Sequence, residues 1–172
     1  MKKVAVVFVL MLLLAGCGEQ QVMETVHDEP LQQVAAPMLQ VLVELPKEAA
    51  LPVMENESGK LYVCEDYTIC QQILPGGNLS QTLKNISGYA KEDLELMQTN
   101  WENAKRYDFV WTAAGESEEQ ICRACILDDG NYHYVLTATA DASNAANLQE
   151  VWRKMFDSFR LVSAQMPLDT GS

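Results

Sequence analysis

The chain has 172 residues, with 12 basic and 24 acidic side chains, and a formal net charge of −12. This length allows one domain plus accessory segments, and the composition, 48% hydrophobic, is ordinary for a folded globular chain. An acidic surface argues against nucleic-acid binding and against docking on anionic lipid through basic patches.

The first sixteen residues have the three-part layout of an export signal. Lys2 and Lys3 precede an unbroken apolar run over residues 4–14, and small residues follow this run. A helix of that length measures about 16 Å, too short to cross a hydrocarbon core of about 30 Å. We therefore predict a cleaved signal over residues 1–16 rather than a membrane-spanning anchor.

The signal ends in Leu14-Ala15-Gly16-Cys17, which resembles the lipobox of bacterial lipoproteins. In that family a diacylglyceryl group is joined to the cysteine sulfur and the cysteine becomes the new N-terminus, so the resemblance implies lipidation of Cys17. Attachment through more than one acyl chain is stable. The resemblance further implies a protein anchored on the extracytoplasmic face of the cell membrane or outer membrane. The alternative is an ordinary signal peptide with an incidental cysteine.

Residues 17–37 are predicted to form a flexible tether. They are rich in Gln, Glu and Val, contain Pro30 and Pro37, and show no sustained period. A coil of this length spans about 25 Å, enough to lift a domain off a bilayer. Without Lys2 and Lys3 the mature chain has a net charge of −14, so the lipid must supply the membrane attachment.

The first half of the predicted domain, which covers residues 38–163, mixes strands and one helix. Alternation over residues 39–45 predicts a strand, and two β-rich runs at 61–64 and 67–74 predict a hairpin. Residues 78–87 predict a short helix, with Asn78 as its N-cap and Gly88 as its stop. The pattern over residues 91–97 suits either a strand or a helical turn.

The second half predicts a three-stranded meander followed by a helix. Tyr107, Phe109 and Trp111 alternate with polar residues, and further strands are indicated at 121–127 and 132–140. Asp129-Gly130 favours a tight turn with both residues at positive φ.

A long amphipathic helix then begins at Ser143 or Asn144, and its bulky apolar stripe must lie on the aromatic face of the sheet. A short strand is indicated at 160–162, and residues 164–172 are predicted to be a disordered tail.

The run from Asp129 to Thr137 and the helix ending in Phe156-Asp157-Ser158-Phe159-Arg160-Leu161 resemble the end of PsbP-like domains. The upstream run Tyr107-Asp108-Phe109-Val110-Trp111 resembles them too. The resemblance implies an α+β fold, an α/β/α sandwich around an antiparallel sheet. It also implies a non-enzymatic binding or assembly module, and it carries over no catalytic motif, metal site or cofactor.

Four cysteines remain in the domain, Cys64, Cys70, Cys122 and Cys125. Export favours disulfides, and Cys64 and Cys70 flank the predicted hairpin turn, so a bridge between them is one hypothesis. Cys122 and Cys125 have CxxC spacing but lie in a predicted strand, where residues three apart point to opposite faces. A zinc site of all four lacks paired-knuckle spacing. Buried free thiols that pack as small apolar groups are the remaining hypothesis.

One histidine and one group of acidic residues are further candidate sites. His133 alternates onto the face opposite Tyr132 and Tyr134 and is predicted to be structural. Glu116, Glu118 and Glu119, with Asp128 and Asp129, are predicted to cluster near adjacent loops as a solvated acidic rim, because the ligand spacing of an EF-hand is absent.

The sequence thus predicts a membrane-anchored extracytoplasmic lipoprotein that acts as a non-enzymatic binding module, whose partner is an envelope protein or a small ligand. The alternative is an envelope thiol-redox or metal-binding protein that uses Cys64, Cys70, Cys122 and Cys125.

Overall fold

The computed structural model describes residues 36–101, 103–115 and 118–162. The predicted signal, Cys17 and the tail lie outside these residues, as does the tether up to residue 35. No helix among the described residues is long and apolar enough to span a membrane.

Seven strands form the main sheet. They are, in chain order, β2 (Met54–Asn56), β3 (Gly59–Val63), β4 (Tyr67–Pro75), β5 (Met97–Trp101), β6 (Ala104–Ala114), β7 (Glu119–Asp128) and β8 (Tyr132–Asp141). A separate short pair consists of β1 (Gln40–Leu42) and β9 (Arg160–Val162), and the helices are α1 (Leu79–Ser87) and α2 (Ala142–Ser158). The main sheet is antiparallel, with the strand order β2-β3-β4-β8-β7-β6-β5.

The short helix α1 forms where its capping residues predict. The Asn78 side chain accepts a hydrogen bond from the Gln81 N–H at 3.0 Å, which satisfies one of the free donors of the first turn. Gly88 ends the helix with φ +80°, a backbone conformation that glycine adopts without steric cost. The ambiguous residues that follow form a 3₁₀ turn at Lys91–Asp93 and then enter β5.

Each face of the sheet is covered by one helix, because strand side chains alternate between the two faces. On one face α2 buries Trp152, Met155 and Phe156 in a cluster with Leu127 and Tyr134. On the other face α1 contributes Leu83 to the second cluster, whose members from the sheet are Tyr107, Phe109, Trp111, Cys122, Ala124, Ile126 and Val135. The predicted α/β/α sandwich around an antiparallel sheet is therefore confirmed.

The meander has aromatic side chains on both faces, whereas the sequence prediction assumed a single aromatic face. The stripe of α2 packs against Tyr134, so that part of the prediction holds. Phe109 and Trp111 stack on each other with centroids 5.2 Å apart, but they belong to the cluster on the α1 side.

The predicted turn between β7 and β8 is shifted by one residue. Asp128 pairs with His133, which makes Gly130 and Asn131 the central residues, and only the glycine has positive φ, at +91°. The prediction that Asp129 also has positive φ is therefore wrong. Its carboxylate instead accepts hydrogen bonds from the N–H groups of Asn131 and Tyr132, at 2.8 and 2.7 Å, and this side-chain role sets the turn.

Candidate functional site

The hairpin of β3 and β4 keeps Cys64 and Cys70 apart. The register pairs Cys70 with Leu61, whereas the Cys64 N–H donates to the Tyr67 carbonyl beside the turn. Alternation from these positions places the two side chains on opposite faces of the hairpin, and both thiols are free. This register does not favour the predicted bridge between them, because that prediction assumed a register that would set the cysteines opposite each other.

Cys122 and Cys125 also point to opposite faces, as the strand pattern predicted. Cys122 lies in the cluster on the α1 side and Cys125 in the cluster on the α2 side. Burial raises the pKa of both thiols, and the nearby Asp108 carboxylate raises that of Cys125 further. Because the thiolate is the reactive form, these side chains are poorly suited to thiol exchange.

A buried ion pair beside Cys125 was not found from the sequence. Arg106 Nε donates to Asp108 Oδ2 at 2.6 Å and Nη2 donates to Oδ1 at 2.9 Å, and the two side chains are 8% and 7% exposed. Arg106 Nη2 also donates to the Phe156 carbonyl at 3.0 Å. That carbonyl belongs to the last turn of α2, where backbone acceptors lack partners within the helix.

Arg106 therefore fastens the C-terminal end of α2 to β6, and the favourable interaction with the helix dipole adds to the bond. Arg123 from β7 lies 4.4 Å from the Phe156 ring and 4.0 Å from Asp108. These contacts assign the cluster a structural role. The signal in the sequence was Arg106 and Asp108, two opposite charges two residues apart and therefore on the same face of a strand.

His133 is structural, as predicted. It is 1% exposed, and its Nδ1 lies 2.7 Å from Thr82 Oγ1 of α1, within hydrogen-bond distance. Burial lowers its pKa, although the Asp128 and Asp129 carboxylates oppose that shift. The histidine thus links α1 to the sheet.

The predicted acidic rim does not assemble. Glu119 begins β7 and Asp128 ends it, so they lie at opposite ends of a ten-residue strand, and Glu116 lies outside the described residues. In the described parts of the chain, no group of three or more His, Cys, Asp or Glu side chains has a geometry that could hold a metal ion.

The segment before the main sheet, residues 36–45, crosses the α2 face as a strap. Its centre pairs with β9, with Val41 opposite Leu161, and the Leu39 N–H donates to the Tyr134 hydroxyl at 2.8 Å. At the far end the Glu44 N–H donates to Ser158 Oγ at 2.8 Å. The strap is therefore fixed along its length.

The alternating side chains of the strap face the core, as the sequence predicted. Leu39, Val41, Val43 and Leu45 are partly buried against the α2-side cluster. Between the strap and the β3–β4 hairpin lies a groove of about 590 Å³, which we call the strap groove. Its volume lies within the range of small-molecule sites, about 300–1,000 Å³.

The strap groove has aliphatic and aromatic walls and a polar rim. Val41, Val43, Tyr62, Ile73 and Phe159 line the walls. The rim carries Asn56, Glu57, Lys60 and Gln71, and Lys60 forms a 2.6 Å ion pair with Glu55. The hydrogen bond to Glu55 raises the Lys60 pKa, which keeps the ammonium charged. Sequence patterns did not reveal this site, because its walls come from segments far apart in the chain.

Neither a protein-family model nor a curated protein sequence matches this chain. Solved structures with a similar fold include a protein from Bacteroides thetaiotaomicron, with 11% identity and a TM-score of 0.50 over 73% of this chain and 46% of that one. LpqN from Mycobacterium tuberculosis, described as involved in cell envelope biogenesis, has 10% identity and a TM-score of 0.49 over 79% of this chain and 87% of LpqN.

The cyanobacterial PsbP protein CyanoP from Synechocystis sp. PCC 6803 has 8% identity and a TM-score of 0.47 over 87% of this chain and 99% of CyanoP. At such identities the likeness concerns the fold alone. The described residues form an α+β sandwich, a seven-stranded antiparallel sheet with one helix on each face.

Proposed function

We propose that this chain is a lipid-anchored protein of the extracytoplasmic face of the cell envelope, and that it binds a small amphipathic molecule without transforming it chemically. The observation that carries this proposal is the strap groove, about 590 Å³ in volume, with apolar walls and a polar rim. Sites for small molecules are concave and mostly apolar, with a few polar groups that orient the ligand.

The lining of the groove matches an aliphatic chain with a polar head. Val41 and Val43 on one wall and Ile73 on the other offer apolar contact to a chain. Gln71 and Lys60 at the rim offer hydrogen-bond donors to a head group. Burial of apolar ligand surface contributes about 25 cal/mol per Å², so the chain of such a ligand provides most of the affinity.

Lipidation at the lipobox would place the groove near a source of ligand. The strap begins at residue 36, a short distance in sequence after Cys17. A diacylglyceryl group on Cys17 would hold the domain near a bilayer, within the roughly 25 Å reach of the tether. A membrane-held groove of this shape meets lipid-like molecules at high local concentration.

The alternative, a redox or metal protein that uses the four cysteines, has weaker support. Cys64 and Cys70 lie on opposite faces of their hairpin, and so do Cys122 and Cys125 within β7. Thiol counting tests this alternative. We expect four reactive thiols after unfolding, besides Cys17 where it is unmodified, and slow labelling of Cys122 and Cys125 in the native protein. A disulfide or stoichiometric zinc would favour the alternative.

The groove is tested with the full chain and parinaric acid, a fluorescent long-chain fatty acid. We expect saturable binding that Met38→Glu weakens about tenfold, equivalent to about 1.4 kcal/mol, because it places a carboxylate on the groove lining. Met38 is 52% exposed, so the variant should fold. The matched control is Leu51→Glu, 82% exposed and not part of the groove lining, which should bind as the parent does. No binding, or equal loss in both variants, would refute the proposal.

The anchor is tested separately. We expect cells grown with labelled palmitate to label the parent chain but not Cys17→Ser, and the variant to leave the membrane fraction. A Cys17→Ser protein that is still labelled and still sediments with membranes would contradict lipidation at this residue.

A further inference from the structure

The strand β5, residues Met97–Trp101, forms one edge of the main sheet, and among the described strands it pairs only with β6. All five of its residues are exposed, and its sequence, Met-Gln-Thr-Asn-Trp, contains no charge. Natural edge strands are usually protected from pairing by charges, prolines or bulges. The opposite edge, β2, follows that rule, since it carries Glu55 in an ion pair with Lys60.

The side chains of β5 alternate in a symmetric order. Met97, Thr99 and Trp101 lie on the α2 side of the sheet, because their partners on β6 are Asp108, Arg106 and Ala104. Met97 is 61% exposed and Trp101 is 42% exposed. The Arg106 guanidinium lies 5.3 Å from the centre of the Trp101 ring, which holds the indole in place.

The unpaired backbone N–H and C=O groups of β5 are also arranged symmetrically about Thr99. Trp101 and Ala104 close a two-residue hairpin connection, and such a closing pair is hydrogen-bonded across the hairpin. Since bonded and non-bonded pairs alternate along an antiparallel ladder, the outward-pointing N–H and C=O groups belong to Gln98 and Asn100. These two residues flank Thr99 on either side.

We propose that β5 is a self-association edge, at which a second copy of this chain adds its own β5 antiparallel about a two-fold axis through Thr99. In this register Gln98 of each copy bonds with Asn100 of the other, so all outward backbone groups of the strand are paired. Met97 then lies against the exposed Trp101 of the second copy, a favourable sulfur–aromatic contact made twice. The interface is isologous, as in most homodimers.

The charge of the molecule favours this edge as the meeting point. Each copy has a net charge of −12, so most surfaces of two copies repel each other, whereas β5 brings no charge to the contact. The remaining repulsion is long-range and is screened by salt. The association should therefore strengthen as ionic strength rises, unlike an association held by ion pairs. This inference does not depend on the strap groove.

Crosslinking of the full chain tests the register. Thr99 meets its own copy in a non-hydrogen-bonded pair with Cα atoms about 4.5 Å apart, within the range that a disulfide spans. We expect Thr99→Cys to form a covalent dimer on addition of copper phenanthroline, which accepts two electrons as two thiols lose their protons. The control is Thr112→Cys, an exposed threonine of β6 beyond the residues paired with β5, and it should crosslink at least about tenfold more slowly.

Sedimentation of the full chain without substitutions gives an independent readout. We expect a dimer fraction that grows with concentration and with salt, and an association constant reduced about tenfold by Thr99→Lys, which sets two ammonium groups directly opposite each other. Thr112→Lys should leave the constant unchanged. Equal crosslinking rates for the two cysteine variants would overturn the proposal. So would a monomer at all concentrations, or adducts in intact cells that join Thr99→Cys mainly to another protein.

Discussion

The backbone N–H of Leu39 donates a hydrogen bond of 2.8 Å to the hydroxyl of Tyr134, a residue 95 positions later in the chain. The same hydroxyl donates to Asp129 Oδ2 at 3.1 Å. Tyr134 is fully buried, and burial is the main reason that its pKa is raised to about 12. One side chain thus joins the strap to the β7–β8 turn.

Tyr134→Phe should loosen the strap. The change leaves the Leu39 N–H without an acceptor in a partly buried site, which should cost about 1–3 kcal/mol of unfolding free energy. Tyr132→Phe is the matched control, because its hydroxyl donates to the Ala36 carbonyl at the outer end of the strap, where water can replace it. Urea denaturation measures the loss, and hydrogen exchange at the strap amides shows where it occurs. Equal effects of the two substitutions would contradict this role for Tyr134.

Replacing one partner of the Arg106–Asp108 ion pair should lower the unfolding free energy of the domain strongly. Arg106→Met leaves a carboxylate that is 7% exposed without its main partner, and removal of one partner of a buried pair costs about 3–5 kcal/mol. It also removes the donors to the last turn of α2. The loss is measured as a decrease in the urea midpoint.

The double variant Arg106→Met/Asp108→Leu separates the ion pair from its surroundings. Because the unpaired charge is then gone, we expect the double variant to be more stable than Arg106→Met alone. A double variant that is less stable than either single variant would show that the two side chains act independently.

His133 should make stability depend on pH below neutrality. Its folded pKa is lowered from 6.5 by burial, so between the folded value and 6.5 the unfolded chain binds more protons. The contribution of His133 to the unfolding free energy is therefore complete above pH 6.5, and it declines as the pH falls from 6.5 through the folded pKa. Denaturation at a series of pH values should show the parent losing stability relative to His133→Gln. A constant difference between the two would refute the assignment.

Trp152 should be the most costly truncation on α2. It is 5% exposed, and Trp152→Ala should destabilise the domain by about 3–5 kcal/mol. Its indole N–H is buried without a partner among the described residues. Trp152→Phe should therefore cost much less, because it removes that unsatisfied donor. A loss under about 1 kcal/mol for Trp152→Ala would mean that this side chain does not support the core.

The sequence by itself determined most of the elements and the class of fold. The two-residue period of the strands and the 3.6-residue period of α2 are properties of local geometry, so they are visible in the order of residues. The caps of α1 are equally local, since Asn78 bonds a residue three positions away. The same alternation predicted that the side chains of Cys122 and Cys125 point to opposite faces of β7.

Only the tertiary structure decided the register of the strands, the face of the sheet that each helix covers, and the position of the strap groove. A shift of one residue in the register of a hairpin moves every side chain to the other face of the sheet. The register therefore decided that Cys64 and Cys70 lie on opposite faces and that Asp129 precedes the central residues of its turn. Composition could not reveal which of two aromatic faces α2 would cover. The Leu39–Tyr134 bond joins residues 95 positions apart, and the strap groove is lined by the strap, the β3–β4 hairpin and Phe159. Only packing brings such segments together.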